Sequence, residues 1–222
     1  MLDGLKVISS VLIVYIFIAT GSHVWAGVEE GRRLFVEKGC TECHTTERPA
    51  RAPTFQEFLK EKGPPLWYAG SKFRKDWLRK WLQAPEPVRP MAYNSIKERN
   101  PANHPALDGK EAEAVTEYLA SLTTDRVKRG IVKPKKTVRG RIIFEKKLGC
   151  YGCHLVRKGK RVVGGLSGPT LVGAGKRLNP DWIYAFLKDQ NFFIPYTSMP
   201  IYVGIVTDRE MRVLSGYVAA ME

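Results

Sequence analysis

Two short runs in this chain carry residues whose type and spacing imply chemistry: Cys40-Thr41-Glu42-Cys43-His44 and Cys150-Tyr151-Gly152-Cys153-His154. Cys-x-x-Cys-His is the attachment pattern of a c-type haem. Two thiols so spaced lie on one helical turn and form thioethers to one porphyrin edge, and the next residue, a histidine, ligates iron from one face. Zinc also takes paired Cys-x-x-Cys, but a His directly after both pairs is unusual there, and four Cys with two His overfill a tetrahedral site. A thioredoxin-like redox pair needs neither the trailing His nor a second copy. The runs therefore predict two covalently bound haem c groups, at Cys40, Cys43 and His44 and at Cys150, Cys153 and His154. They use all four cysteines, so no structural disulfide remains.

The elements that must position these runs occur twice. Gly31-Arg32-Arg33-Leu34-Phe35 precedes the first and Gly140-Arg141-Ile142-Ile143-Phe144 the second. Gly63-Pro64-Pro65-Leu66 follows the first and Gly168-Pro169-Thr170-Leu171 the second. Trp77 then matches Trp182, Leu82 matches Leu187, Met91 matches Met199 and Tyr118 matches Tyr217. The period is too long for a solenoid and reads as domain duplication. Each half reads as mostly helical. Asn179 is an N-cap ahead of Pro180, for a helix to about Lys188 that buries Trp182, Ile183, Phe186 and Leu187. Thr207 with Glu210, and Asp108 with Glu111, have the spacing of capping boxes. Val115, Tyr118, Leu119 and Leu122 continue the apolar face of the latter helix. The Pro-rich stretch from Ala84 to Pro90 is a loop.

Length suits one large domain or two small ones, and a small unit buries little core by itself. Val7 to Thr20 is an apolar run behind Lys6. It reads as a retained membrane anchor over residues 7–26, with a signal peptide ending at Val24-Trp25-Ala26 as the alternative. Either leader sends the rest of the chain across the membrane. The formal net charge is +14, and residues 125–161 hold fourteen Lys or Arg against only Asp125 and Glu145. That basic stretch is a solvated linker or a docking face for an acidic redox partner or anionic lipid. Nucleic acid is not an expected partner.

The doubled order of N-terminal helix, Cys-x-x-Cys-His, Gly-Pro-x-Leu loop, Trp helix, methionine loop and C-terminal helix resembles two tandem cytochrome c domains over nearly all of residues 27–222. The resemblance implies an all-α fold: 1–26 as anchor or signal segment, 27–124 as domain 1, 125–138 as a basic linker and 139–222 as domain 2. It implies proximal ligands His44 and His154, their other ring nitrogen donating to a carbonyl at Pro64 and Pro169. Pro65 competes with Pro64 for that role. It implies distal ligands Met91 and Met199, the second followed by Pro200 as in the family. A loop Met is otherwise a gap-filler, as Met211 in the last helix is expected to be. His104 is the alternative to Met91; a lone loop His is otherwise simply solvated. Among Trp67, Trp77, Trp81 and Trp182, the recurring Trp77 and Trp182 are the candidates to line haem pockets, the rest reading as core. Tyr93 and Tyr202 are expected at the pocket edges.

Met/His ligation raises the potential and leaves no open iron position. The expectation is one-electron transfer by a carrier, with no catalytic residues. The pattern resembles the dihaem cytochrome c subunits of quinol-oxidising cytochrome bc complexes, which places the haem domains on the periplasmic side of the inner membrane beside a b-type cytochrome. A dihaem subunit of a terminal oxidase and a free periplasmic shuttle are close variants. The opposing class is an enzyme, a dihaem peroxidase, which requires that Met91 not be a ligand. A thiosulfate-oxidising cytochrome would need a spare cysteine, and none exists.

Overall fold

The computed structural model describes residues 27–48 and 54–222. The expected anchor or signal segment, 1–26, lies outside the described residues. Among those described, no helix is long and apolar enough to cross a membrane.

The first half opens with helix α1 over residues 27–37, followed by a 3-10 turn at Cys40–Glu42. Then come α2 (Phe55–Lys60), α3 (Ala69–Lys72), α4 (Lys75–Gln83) and α5 (Gly109–Ser121). The second half runs α6 (Val138–Ile142), a π-helical continuation at Ile143–Lys147, a 3-10 turn at Cys150–Gly152, α7 (Ala174–Arg177), α8 (Pro180–Lys188), α9 (Gln190–Phe193) and α10 (Asp208–Val218). Helix starts follow local chemistry. Asp108 with Glu111 and Thr207 with Glu210 close full capping boxes, and Thr54 with Glu57 adds a third. Each box satisfies two backbone N–H groups that the first turn leaves without partners.

A two-stranded antiparallel hairpin, β1 (Val156–Lys158) with β2 (Arg161–Val163), departs from the all-α expectation. Its cause is local. Three valines flank a Gly159-Lys160 turn, and Gly159 takes φ 60°, which glycine adopts without a steric penalty.

The two halves repeat the same contacts. α1 crosses α5 where a Cβ on Gly31 would lie 1.9 Å from the Ala114 carbonyl oxygen. α6 crosses α10 where a Cβ on Gly140 would lie 2.6 Å from Tyr217 Cβ. Behind each glycine a Phe meets a Tyr, Phe35 with Tyr118 at 5.6 Å between ring centroids and Phe144 with Tyr217 at 5.7 Å. Gly70 N–H donates to Leu122 O and Gly175 N–H to Met221 O, both at 2.9 Å.

Two apolar clusters result. One holds Phe35, Leu66, Leu78, Leu82, Val115 and Leu119. The other holds Phe144, Trp182, Ile183, Leu187, Phe193, Met211 and Leu214, and it also takes Trp67 and Tyr68 from the first half. Phe186, expected in that core, is only partly buried, while Tyr184 is buried in its stead.

The halves join along a seam with approximate twofold symmetry. Phe73, at the elbow between α3 and α4, bridges antiparallel to Leu178, at the equivalent elbow between α7 and α8. Arg74 N–H donates to Arg177 O and Asn179 N–H to Lys72 O, each at 2.9 Å. The same position of each repeat therefore meets the other's, as in an isologous dimer interface. Asn179 occupies the N-cap position of α8, but its side chain makes no cap bond. It donates across the seam to Ser71 O at 2.9 Å and Phe73 O at 3.2 Å. The stretch from 125 to 138 is docked rather than a free tether. Asp181 accepts from the N–H groups of Gly130, Ile131 and Val132 at 2.8–2.9 Å, and Val132 is buried in the second cluster.

Gly31→Ala should force α1 off α5 and cost at least about 2 kcal/mol, as overpacking at a close crossing does. Gly109→Ala, where an added Cβ meets nothing within 4 Å, should be neutral within about 0.5 kcal/mol. Urea unfolding of both variants checks the contrast, and equal stabilities would contradict the helix crossing.

Candidate functional site

Each Cys-x-x-Cys-His run folds onto a 3-10 turn entered through a left-handed glycine, Gly39 at φ 71° and Gly149 at φ 59°. The turn brings His44 N–H to Cys40 O at 3.0 Å and His154 N–H to Cys150 O at 3.1 Å. Both cysteines of each pair thus share one turn. Cys40 and Cys150 are half-buried, Cys43 and Cys153 exposed, and all four are free thiols. Burial pushes the Cys150 thiol up to about 11 and raises Cys40 in the same direction. Among the described residues no three His, Cys, Asp or Glu side chains converge as a metal cluster.

The two histidines are held alike. His44 Nδ1–H donates to Pro64 O at 2.8 Å and His154 Nδ1–H to Pro169 O at 2.7 Å. The acceptor in the first half is Pro64, not Pro65. These bonds fix the tautomer and leave each Nε2 lone pair for a metal. Burial depresses both imidazole pKa values, with the Pro carbonyls opposing it. Gly63 and Gly168 lie flat against the rings: a Cβ there would sit 2.7 Å from His44 Cε1 and 2.6 Å from His154 Cε1.

Between the two motifs the seam gathers positive charge. Lys72 and Arg177, equivalent residues of the two halves, face each other with Arg89 nearby. Among the described residues no carboxylate pairs with any of the three. Burial, then Arg177 and Arg89, pull the Lys72 ammonium down to about 7, and burial pulls Arg177 down to about 10. Each of the equivalent cations lies over the other half's tryptophan, Lys72 Nζ 4.9 Å from the Trp182 ring centroid and Arg177 Cζ 5.9 Å from that of Trp77. Around them Tyr68 Oη, Arg89 Nε, Tyr93 Oη and Trp182 Nε1 are buried without a hydrogen-bond partner. Unpaired buried donors and unopposed buried cations are both costly. The set fits a group that carries carboxylates, as a haem edge does. Arg177 and Lys72 were readable in the sequence, since each stands five residues before its repeat's Trp. Arg89 and Tyr68 have no such signal.

The remaining expected residues are spread more widely. Met199 is half-buried and packs against the second cluster. Tyr202, beside Cys150 and Cys153, is buried and pushed up to about 12 by that burial. Met91 is buried but belongs to neither cluster; it pairs with Arg99 in a loop tied to the second half, where Val88 O accepts from Thr170 N–H at 2.8 Å and Arg89 donates to Ser167 O at 3.1 Å. Trp67 packs in the second half's core, Trp77 and Trp81 stack at 5.7 Å, and Trp81 Nε1 donates to Glu86 O. His104 lies beside Trp81 and His44.

Residues 28–123 match the family model for cytochrome c. The match covers less than half of the chain and supports a helix-rich fold of the c-type cytochrome kind, which implies covalent haem c and electron transfer. No curated protein matches the chain. A chain of the reducing HAO-like protein complex of Kuenenia stuttgartiensis aligns with it at 17% identity and a TM-score of 0.34, over 87% of this chain and 96% of the other; so loose a likeness carries no weight here.

In the haem-loaded protein, Gly168→Ala should push His154 off Pro169 and weaken its bond to iron. The reduced visible spectrum should then show part of the haem as high-spin. A wild-type spectrum would mean that the close approach of Gly168 does not position the ring.

Proposed function

We propose that this chain is a membrane-anchored dihaem cytochrome c whose two tandem domains, 27–124 and 139–222, relay single electrons as a subunit of a quinol-oxidising cytochrome bc-type respiratory complex. Its haem domains lie on the periplasmic side of the inner membrane, held by residues 7–26. The observation that carries the reading is the pair of matching His–Pro bonds, His44 to Pro64 and His154 to Pro169, on either side of one seam. Covalent haem c supplies one-electron redox chemistry when bound at both motifs.

The chain's own residues do the rest. His44 and His154 would present Nε2 to iron, and Met199 would close the second site. Lys72, Arg89 and Arg177 would hold carboxylates at the seam, and their charge would favour the reduced state there. Lys133, Lys135 and Lys136 are exposed and form a face for an acidic redox partner, whose encounter rate such charge raises. The docked 125–138 stretch keeps that face rigid.

Expression with a haem-attachment system should give a chain whose mass includes two haems. Paired Cys→Ser changes at either motif should remove one haem each. The holoprotein should fractionate with membranes, co-purify with a b-type cytochrome, and accept electrons at a rate that falls with salt. It should turn over no peroxide. Co-purification with an oxidase core would move it to a terminal oxidase. A soluble protein without residues 1–26 would make it a shuttle. Rapid peroxide turnover or a single haem would overturn the dihaem carrier.

A further inference from the structure

The two motifs are built alike, but what faces each histidine is not. Beside His44 stands a second imidazole. The rings of His44 and His104 lie 6.2 Å apart between centroids, inclined at 43°. Two imidazoles that bind one metal from opposite sides need about this separation. Each nitrogen sits about 2 Å from the metal and each ring centre about 1 Å further back, giving about 6 Å in all.

Both rings are held in a tautomer that suits such a role. His104 Nδ1–H donates to Pro105 O at 2.9 Å, as His44 Nδ1–H donates to Pro64 O. Each bond fixes the tautomer in which Nε2 carries the free lone pair, the arrangement found in metal-ligating histidines. Among the described residues no group bonds either Nε2. His104 is also braced from behind. Its ring lies 4.6 Å from Trp81, which is fixed by its own bond to Glu86 O and stacks on Trp77. Although exposed, this histidine is held by its neighbours rather than merely hydrated.

Met91 is held elsewhere. The hydrogen bonds of its loop run within the loop, from Asn94 to Phe58 O, and across to Ser167 and Thr170 of the second half. None of them runs to the Cys40–His44 turn itself.

We propose that His104, and not Met91, is the distal ligand at the first motif, so that the chain pairs a bis-histidine site at His44 with a His–Met site at His154. The inference rests on the dihaem reading above. Imidazole in place of thioether lowers the potential, all else equal. The first half is then the low-potential site, and electrons enter there and leave from the second half. The donor docks on the first half and the acceptor on the second.

The test uses the full-length haem-loaded chain. Near-infrared magnetic circular dichroism of the oxidised wild type should show one bis-imidazole and one imidazole–thioether charge-transfer band in equal amounts. Met91→Leu should leave both bands and both midpoint potentials unchanged. His104→Ala should abolish the bis-imidazole band alone, and His104→Met should replace it with a second thioether band and raise the lower potential. Two thioether bands in the wild type would overturn the assignment while leaving the dihaem reading intact, as would loss of one band in Met91→Leu. A mass without two haems would remove both together. The wild-type spectrum decides the matter even if a variant fails to fold.

Discussion

Lys72 and Arg177 face each other across the seam with no carboxylate paired to either among the described residues, and much of the molecule is arranged around that approach. Two like charges repel, one on the buried Arg177 and one on the half-buried Lys72, and desolvation penalises both. The backbone nevertheless holds them there, through the Phe73–Leu178 bridge, the Arg74 and Asn179 hydrogen bonds and the Asn179 side chain. Anions at the seam would stabilise such an arrangement. The orphaned donors of Tyr68, Tyr93, Arg89 and Trp182 point to the same requirement. Carboxylates of a group held at each motif would satisfy the cations and the donors together. On this account the seam and its cofactors stabilise one another, and the two halves form one body rather than two domains on a tether.

That body suits a relay. A carrier that passes electrons between its own centres gains from a fixed distance between them, and with both motifs loaded the seam would supply it without the linker. The 125–138 stretch, freed from that duty, is nailed down by Asp181 and presents its lysines on one side. The unlike neighbours of the two histidines add a direction. An imidazole pair on one side and a thioether on the other would give a downhill step within a single chain.

Much of this was legible in the sequence because it depends on short-range spacing. Cys-x-x-Cys-His needs only one helical turn, and the capping boxes at Asp108 and Thr207 need only three residues. The glycines before the motifs and the Phe–Tyr pairs behind them recur in order, so the crossings of α1 with α5 and of α6 with α10 could be paired in advance. The seam could not. It depends on which outer surface of each repeat packs, and periodicity marks only the inner one. Asn179 shows the limit. Its place before Pro180 is that of an N-cap, yet tertiary contact takes its side chain to carbonyls of the other half. The hairpin at Val156–Val163 escaped because a family outline of helices has no place for it. His104 was legible as the alternative to Met91, but nothing in the sequence chose between them, since no local spacing brings it back sixty residues to His44.

The central claim is that one rigid chain holds two unlike redox centres, and a potentiometric titration of the intact haem-loaded protein tests it most directly. The account predicts two one-electron waves of equal amplitude at clearly separate midpoint potentials. The lower wave should belong to the haem that Cys40→Ser with Cys43→Ser removes. A single wave of one-haem amplitude, or two waves superimposed at the same potential, would contradict it.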